Sequence, residues 1–233
     1  MSETITIKSM AEWQAEGKSP EVLFWVGCAG SFDDRAKRIT RSITTILHHA
    51  GISFGVLGTE EACTGDPAKR AGNEFLFQMM AMTNISVLNG YNIKKIVTGC
   101  PHCFNTLKNE YPGLGGNYEV LHHTEFIKNL LDEGRIKIEG GDFKGKKIVF
   151  HDPCYLGRGN GIYEAPRKVI EVLDADLTEL KRSREKGLCC GAGGAQMFKE
   201  AEPGNKEVNI ERSEEILAEN PAVVATGCPF CMT

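Results

Sequence analysis

The sequence predicts an α/β protein of two pseudo-symmetric halves, each with a mostly parallel sheet flanked by helices. Three observations predict it. Cysteine elements recur at a near-constant offset, short apolar runs alternate with helix-length segments, and each cysteine element follows such a run. "VTGCPHC" at 97–103 and "ATGCPFC" at 225–231 share five of seven residues and lie 128 residues apart. Cys28 and Cys154 are 126 apart, and so are Cys63 and Cys189. A two-residue insertion between Cys190 and Cys228 reconciles the offsets, and a spacing repeated this way marks a duplication.

The elements follow in chain order. "EVLFWVG" (21–27) and "KKIVFHD" (146–152) are Val-, Ile- and Phe-rich runs that read as buried strands ending at a cysteine. Helices are predicted after them, over about 33–50 and 163–174. "ISFGVLG" (52–58) and "DLTEL" (176–180) read as second strands, with long helices over about 67–89 and 205–219. Asp66-Pro67 reads as the start of the first of these, with Pro at the first helical position. "KKIVTG" (94–99) and "AVVATG" (222–227) are third strands. The glycine-containing stretch 111–146 reads as a linker with one further strand and helix. This divides the chain into an N-terminal extension (1–20), a first cysteine-rich domain (21–140) and a second (141–233), with the boundary near Gly140–Gly141. Cys103 is followed by the helix-like "FNTLKNEY", whereas Cys231 is followed only by Met232 and Thr233. Internal symmetry therefore makes the second domain read as truncated at its C-terminus. Cys228 and Cys231 are expected on a fraying end, with the second site disordered or empty in this form.

Composition narrows the function. The chain has 233 residues, a formal net charge of -4 and a pI near 5.9, which argues against nucleic acid as the main partner. Its densest basic group, "LKRSREK" at 180–186, is short. No window approaches the roughly 18 apolar residues of a membrane span, and the polar N-terminus has no signal core. A cytoplasmic protein is expected, with any membrane attachment made through a partner.

Nine cysteines, an odd number, without a signal peptide argue against a disulfide framework. The repeat apportions them all. Copy one offers Cys28, Cys63, Cys100 and Cys103; copy two offers Cys154, Cys189, Cys190, Cys228 and Cys231. Thr64, in "CTG", stands where Cys190 stands in "CCG". Inert core cysteines would not show duplicated spacing. A Cys-x-x-Cys at a helix start suits dithiol exchange, and Cys-Pro-His-Cys is a known dithiol-oxidase sequence, yet that chemistry leaves the other cysteines idle. Zinc takes four ligands, which suits copy one but not the fifth thiol of copy two. Iron–sulfur clusters bind through thiolates and accept several irons, so the residues point to iron–sulfur in at least copy two.

The pattern "Cys…CCG…CPxC" resembles the cysteine-rich CCG-domain family of heterodisulfide reductase catalytic subunits. "EACTGDPAKRAGNEFLFQ", "CPHCFNTLKNEYP", "YEVLHHTEF", "HDPCYLGRGNGIYEAPR" and "CCGAGGAQM" are most similar to the iron–sulfur oxidoreductases associated with electron-transfer flavoprotein and quinone reduction. The resemblance covers about residues 22–231. It implies that Cys154, Cys189, Cys190, Cys228 and Cys231 hold a noncubane [4Fe–4S] cluster. For the first site, with Thr64, a second cluster, a zinc ion or nothing are the expectations. An anionic cluster needs donors, so Gly191, Gly193 and Gly194 are candidates to aim N–H groups at sulfur, and Arg158 to lend positive charge. His151 and Asp152 read either as a strand end with an Asp-Pro turn or as proton carriers; His122 and His123 read as structural.

The chain lacks the closely spaced ferredoxin motif and a glycine fingerprint for a dinucleotide; "GLGG" at 113–116 is a turn. The expected function is an iron–sulfur redox subunit relaying electrons between a flavoprotein or ferredoxin-type partner and an acceptor such as quinone. The alternatives are a catalytic heterodisulfide-type reductase and a zinc-stabilised interaction module.

Overall fold

The repeat is visible in the strand pairing. The computed structural model describes residues 5–138 and 141–233. Its strands are β1 (Lys8–Ser9), β2 (Val22–Trp25), β3 (Phe54–Val56), β4 (Lys95–Thr98), β5 (Glu119–His122), β6 (Lys147–His151), β7 (Asp176–Thr178) and β8 (Val223–Thr226). The chain divides into two units at Phe126, within the helix His123–Asp132. The division expected at Gly140–Gly141 involves Gly140, which lies outside the described residues.

In the first unit the sheet order is β1-β3-β2-β4-β5, and every described pairing is parallel. Strand β2 is buried along its whole length, as a central parallel strand must be, which explains its unbroken apolar run. In the second unit the order is β7-β6-β8, also parallel. Ile148, Phe150 and Ile170 form its core, with Leu177, Val223 and Ala225 against them. The order β3-β2-β4 is thus repeated as β7-β6-β8. The register repeats too: Trp25 pairs with Thr98, and the equivalent His151 pairs with Thr226. Neighbouring parallel strands therefore end together, and the loops that leave them carry the cysteines out at one rim of each unit.

Three elements differ from the sequence expectation. The N-terminal extension supplies β1 and the helix Met10–Ala15, begun by a capping box between Ser9 and Glu12 and pinned by Trp13 Nε1 donating to the Phe54 carbonyl at 3.1 Å. The helix expected over 67–89 is two helices, Asp66–Arg70 and Glu74–Gly90. Gly72, at φ +87°, breaks it, and the Asn73 side chain caps the second by accepting from Leu76 N–H at 3.0 Å. The strand placed in the linker, β5, pairs with β4 along its whole length and completes the first sheet.

Candidate metal centre

In the first unit, Cys28 lies on the short helix Gly27–Phe32 that leaves β2. The turn into it needs Gly27 at φ +77°. The Glu61 carboxylate holds the turn by accepting from Val26 N–H at 3.0 Å and Gly27 N–H at 2.5 Å. Burial raises the Glu61 pKa to about 7. Cys63 arrives on the loop after β3, where Asn84 Nδ2 donates to its carbonyl at 3.0 Å and to Tyr111 Oη at 3.1 Å, while Tyr111 O–H donates to the Thr64 carbonyl at 3.1 Å. Cys100 and Cys103 open the helix Pro101–Asn105 after β4. Beside them the buried His102 Nδ1 lies 2.8 Å from Asp66, which also pairs with Arg70 at 3.2 Å.

These loops bring the four sulfurs together. Cys28 and Cys63 share a hydrogen bond that lowers the Cys28 pKa to about 6 and raises that of Cys63. Cys103 is raised by its bond to Cys100, by burial, and by the nearby charges of Cys28 and Cys63. A side chain at Gly27 would stand 3.5 Å from the Cys103 sulfur, so that loop packs directly against the Cys-x-x-Cys turn.

The second unit repeats the arrangement with one more thiol. Cys154 and Cys190 both hydrogen-bond to Cys189, which pulls the Cys189 thiol far down and pushes Cys154 up. Cys190 continues to Cys231, and Cys231 to Cys228, so five sulfurs form one connected group. Gly65 N–H donates to Cys63 Sγ at 3.5 Å, and Gly191 N–H donates to Cys189 Sγ at 3.3 Å. Both glycines have positive φ, +89° and +84°, which an L side chain resists. The Thr64 hydroxyl donates to Cys103 Sγ at 3.9 Å, in the place where Cys190 meets Cys231. Threonine thus occupies the fifth-thiol position as a hydrogen-bond donor to the set.

The other candidates fall out as follows. Ala192 N–H, beside Gly191, supplies a second backbone donor, to Cys190, which the sequence reading did not single out. Gly193 and Gly194 shape the turn: the Gly193 carbonyl accepts from Gln196 N–H at 3.2 Å, and Gly194 has φ +64°. Arg158 is exposed, and its charge favours the thiolates of Cys154 and Cys189. Cys228 is buried, and Cys231 sits in the turn Phe230–Met232. The sequence reading expects this pair on a fraying end; the structure places both residues after β8, with their sulfurs in the connected group.

Asp152 is buried and tied into the fold by an arginine. Its carboxylate accepts from Arg167 at 2.8 and 3.0 Å and from Arg184 N–H at 2.8 Å. His151 is 3% exposed and faces the thiols: one of its ring nitrogens lies within 4.8 Å of the sulfurs of Cys190 and Cys231. Burial, and then the charge of Arg212, push its pKa down to about 4. Sequence reasoning missed Arg212, whose Nε donates to His151 Nδ1 at 2.9 Å. The signal was available, because the 128-residue offset aligns Arg212 with Asn84, the residue that braces the first set. His122 is buried with Nδ1 2.8 Å from Thr124 Oγ1, in keeping with a structural role.

Two cysteine-rich sites at equivalent places on repeated sheets define a known family. A model of the CCG cysteine-rich domain matches residues 22–108 and again 148–233. The chain belongs to the CCG cysteine-rich domain family. Similarity to curated relatives extends over both repeats. Over 224 residues, 94% of this chain and 31% of the other, it is 45% identical to the "EtfAB:quinone oxidoreductase" of Syntrophomonas wolfei. Over 228 residues, 97% of this chain and 32% of the other, it is 46% identical to the "Probable iron-sulfur-binding oxidoreductase FadF" of Bacillus subtilis. It is 31% identical over 222 residues to a subunit of the dihydromethanophenazine:CoB--CoM heterodisulfide reductase of Methanosarcina barkeri, covering 91% of this chain and 52% of that one. The CCG chain thus spans about a third of the first two relatives and about half of the third.

Proposed function

We propose that this CCG chain is the iron–sulfur module of a multicomponent oxidoreductase. It takes electrons from a flavoprotein or ferredoxin-type partner and passes them toward an acceptor such as quinone. The observation that carries this reading is the connected group of five sulfurs, Cys154, Cys189, Cys190, Cys228 and Cys231. A single tetrahedral zinc ion leaves one of five thiols without a role. A cluster of several irons employs them all, and a noncubane [4Fe–4S] cluster is the form proposed for this set. When bound, such a cluster accepts and returns single electrons. The likeness to relatives named for iron–sulfur binding and for quinone and heterodisulfide reduction supports the same assignment.

The remaining work falls to the chain. Thiolates of the five cysteines hold the metal. Gly191 and Ala192 N–H groups and the charge of Arg158 offset the negative charge gathered on sulfur. The buried Asp152–Arg167 pair fixes the loop that presents Cys154. Cys28, Cys63, Cys100 and Cys103 form a four-thiolate site, which suits an ordinary [4Fe–4S] cluster or a zinc ion. The two domains are taken as 21–140 and 141–233, the first preceded by the extension 1–20. Among the described residues no helix is long and apolar enough to cross a membrane; a link to a quinone pool through a partner is part of this proposal.

Relay is tested by mixing the anaerobically prepared, iron-loaded chain with a reduced electron-transfer flavoprotein. Iron–sulfur absorption is expected to bleach as the flavin reoxidises and to return when a quinone analogue is added with the partner subunit. A cluster that stays oxidised beside reduced flavin contradicts a relay from flavin.

A further inference from the structure

Strand β6 ends on His151, and the buried Arg212 stands behind it. Arg212 Nε donates to His151 Nδ1 at 2.9 Å. A guanidinium has donors only, so this Nδ1 carries no proton and the neutral ring bears its proton on Nε2. That Nε2 is buried and has no hydrogen-bond partner in the protein. Arg212 is itself held by the Arg182 carbonyl at 2.9 Å and Glu215 at 3.0 Å, so the ring is braced from behind. The sulfurs of Cys190 and Cys231 lie within 4.8 Å of a ring nitrogen of His151. A buried N–H left without an acceptor is costly, and a thiolate is the acceptor this site offers.

The first unit supplies a comparison within the same chain. Trp25 stands at the position of His151 and Asn84 at that of Arg212. Trp25 is fully buried, and its Nε1–H also has no partner. Both units therefore end the central strand on a buried N–H that no protein atom accepts. In the second unit the cationic Arg212 stands behind that donor, where the first unit has the neutral Asn84 at the aligned position.

We propose that His151 is a positioning residue of the second cysteine set: fixed by Arg212 as the Nε2–H tautomer, it donates a hydrogen bond to the thiolate of Cys190 or Cys231 and raises the reduction potential of the cluster those sulfurs hold. This rests on the iron–sulfur reading of the set. One-electron reduction adds negative charge to the cluster and its thiolates, and a donor aimed at sulfur stabilises the more negative state. Metal ligation by His151 is a different arrangement. It requires an unprotonated Nε2, which moves the proton to Nδ1 and sets it against the Arg212 N–H.

The test is a redox titration of the iron-loaded full chain, followed by EPR, for the wild type, His151→Phe and His151→Gln. Removing the donor is expected to make reduction about tenfold less favourable, which for a one-electron couple is about 59 mV. His151→Gln keeps an N–H and is expected to recover most of that loss. Should H151F lose its iron, Arg212→Met keeps the ring, releases the tautomer and is expected to lower the potential in the same direction. Independently, ¹⁵N NMR of the metal-free chain is expected to show His151 protonated at Nε2. Bound iron with an unmoved potential in these variants overturns this proposal alone, as does a His151 proton on Nδ1 or a nitrogen hyperfine coupling large enough for a metal–nitrogen bond. A wild-type chain that takes up no iron–sulfur overturns the iron–sulfur reading, and this proposal with it.

Discussion

Arg167→Met is expected to destabilise the second half of the chain by about 3–5 kcal/mol, the usual consequence of removing one partner from a buried ion pair. Arg167 is 2% exposed and binds both oxygens of Asp152, which is 5% exposed. It also binds Glu179 at 2.5 and 2.8 Å and stacks on the Phe150 ring at 5.3 Å. Methionine fills much of the same volume but leaves a carboxylate buried without its cation. Glu179 is partly exposed and can turn to solvent, so the cost falls on Asp152. Asp152 is two residues from Cys154, and loss of its anchor frees the loop that carries this thiol. Denaturation of the metal-free chain reads the stability, and thiol labelling of Cys154 reads the local effect. Adding Asp152→Asn to the variant removes the stranded charge and is expected to return part of the loss. A change below about 1 kcal/mol, the range of exposed pairs, would show that water reaches this pair.

Exchanging the residues at positions 64 and 190 is expected to exchange the character of the two sites. Cys190→Thr gives the second set the composition of the first. It removes the sulfur that joins Cys189 to Cys231, and the noncubane EPR signal is expected to disappear, with iron either lost or held in an ordinary four-thiolate form. Thr64→Cys is the converse. Thr64 is 1% exposed, and its hydroxyl already reaches Cys103 Sγ at 3.9 Å, so a thiol there meets the same neighbour. The replacement is close in volume and is expected to cost less than about 1.5 kcal/mol. If the first site then acquires a signal like that of the second, the residue at this position separates the two. An unchanged spectrum in Cys190→Thr would remove Cys190 from the ligand set.

The parts of the fold legible in the sequence are those with a one-dimensional signature. Strands β2, β4 and β6 are buried, so their apolar runs are continuous and stand out from the flanking helices. Duplication made the cysteine groups legible, because a repeated offset needs no knowledge of the sheet. The missed elements depend on contacts rather than pattern. Strand β1 has two residues, Lys8 and Ser9, and is recognisable only by its pairing with β3. The strand expected in the linker is present as β5, and only its register with β4 shows that it belongs to the first sheet. Arg212 lies in the charged helix Val208–Ala218 and looks like part of a solvated face, yet it is 2% exposed behind His151. Asp152 looks like an Asp-Pro turn, and only the spatial approach of Arg167, fifteen residues on, shows it as half of an ion pair.

The most direct measurement is the iron, acid-labile sulfide and zinc content of the anaerobically prepared chain, with EPR, beside a variant carrying serine at Cys154, Cys189, Cys190, Cys228 and Cys231. The expected result is iron and sulfide in equal amounts in the wild type, with about four irons and the noncubane signal lost in the variant, as a [4Fe–4S] cluster on those thiolates requires. Stoichiometric zinc without sulfide in the wild type, or an iron content that the five serines leave unchanged, would contradict it.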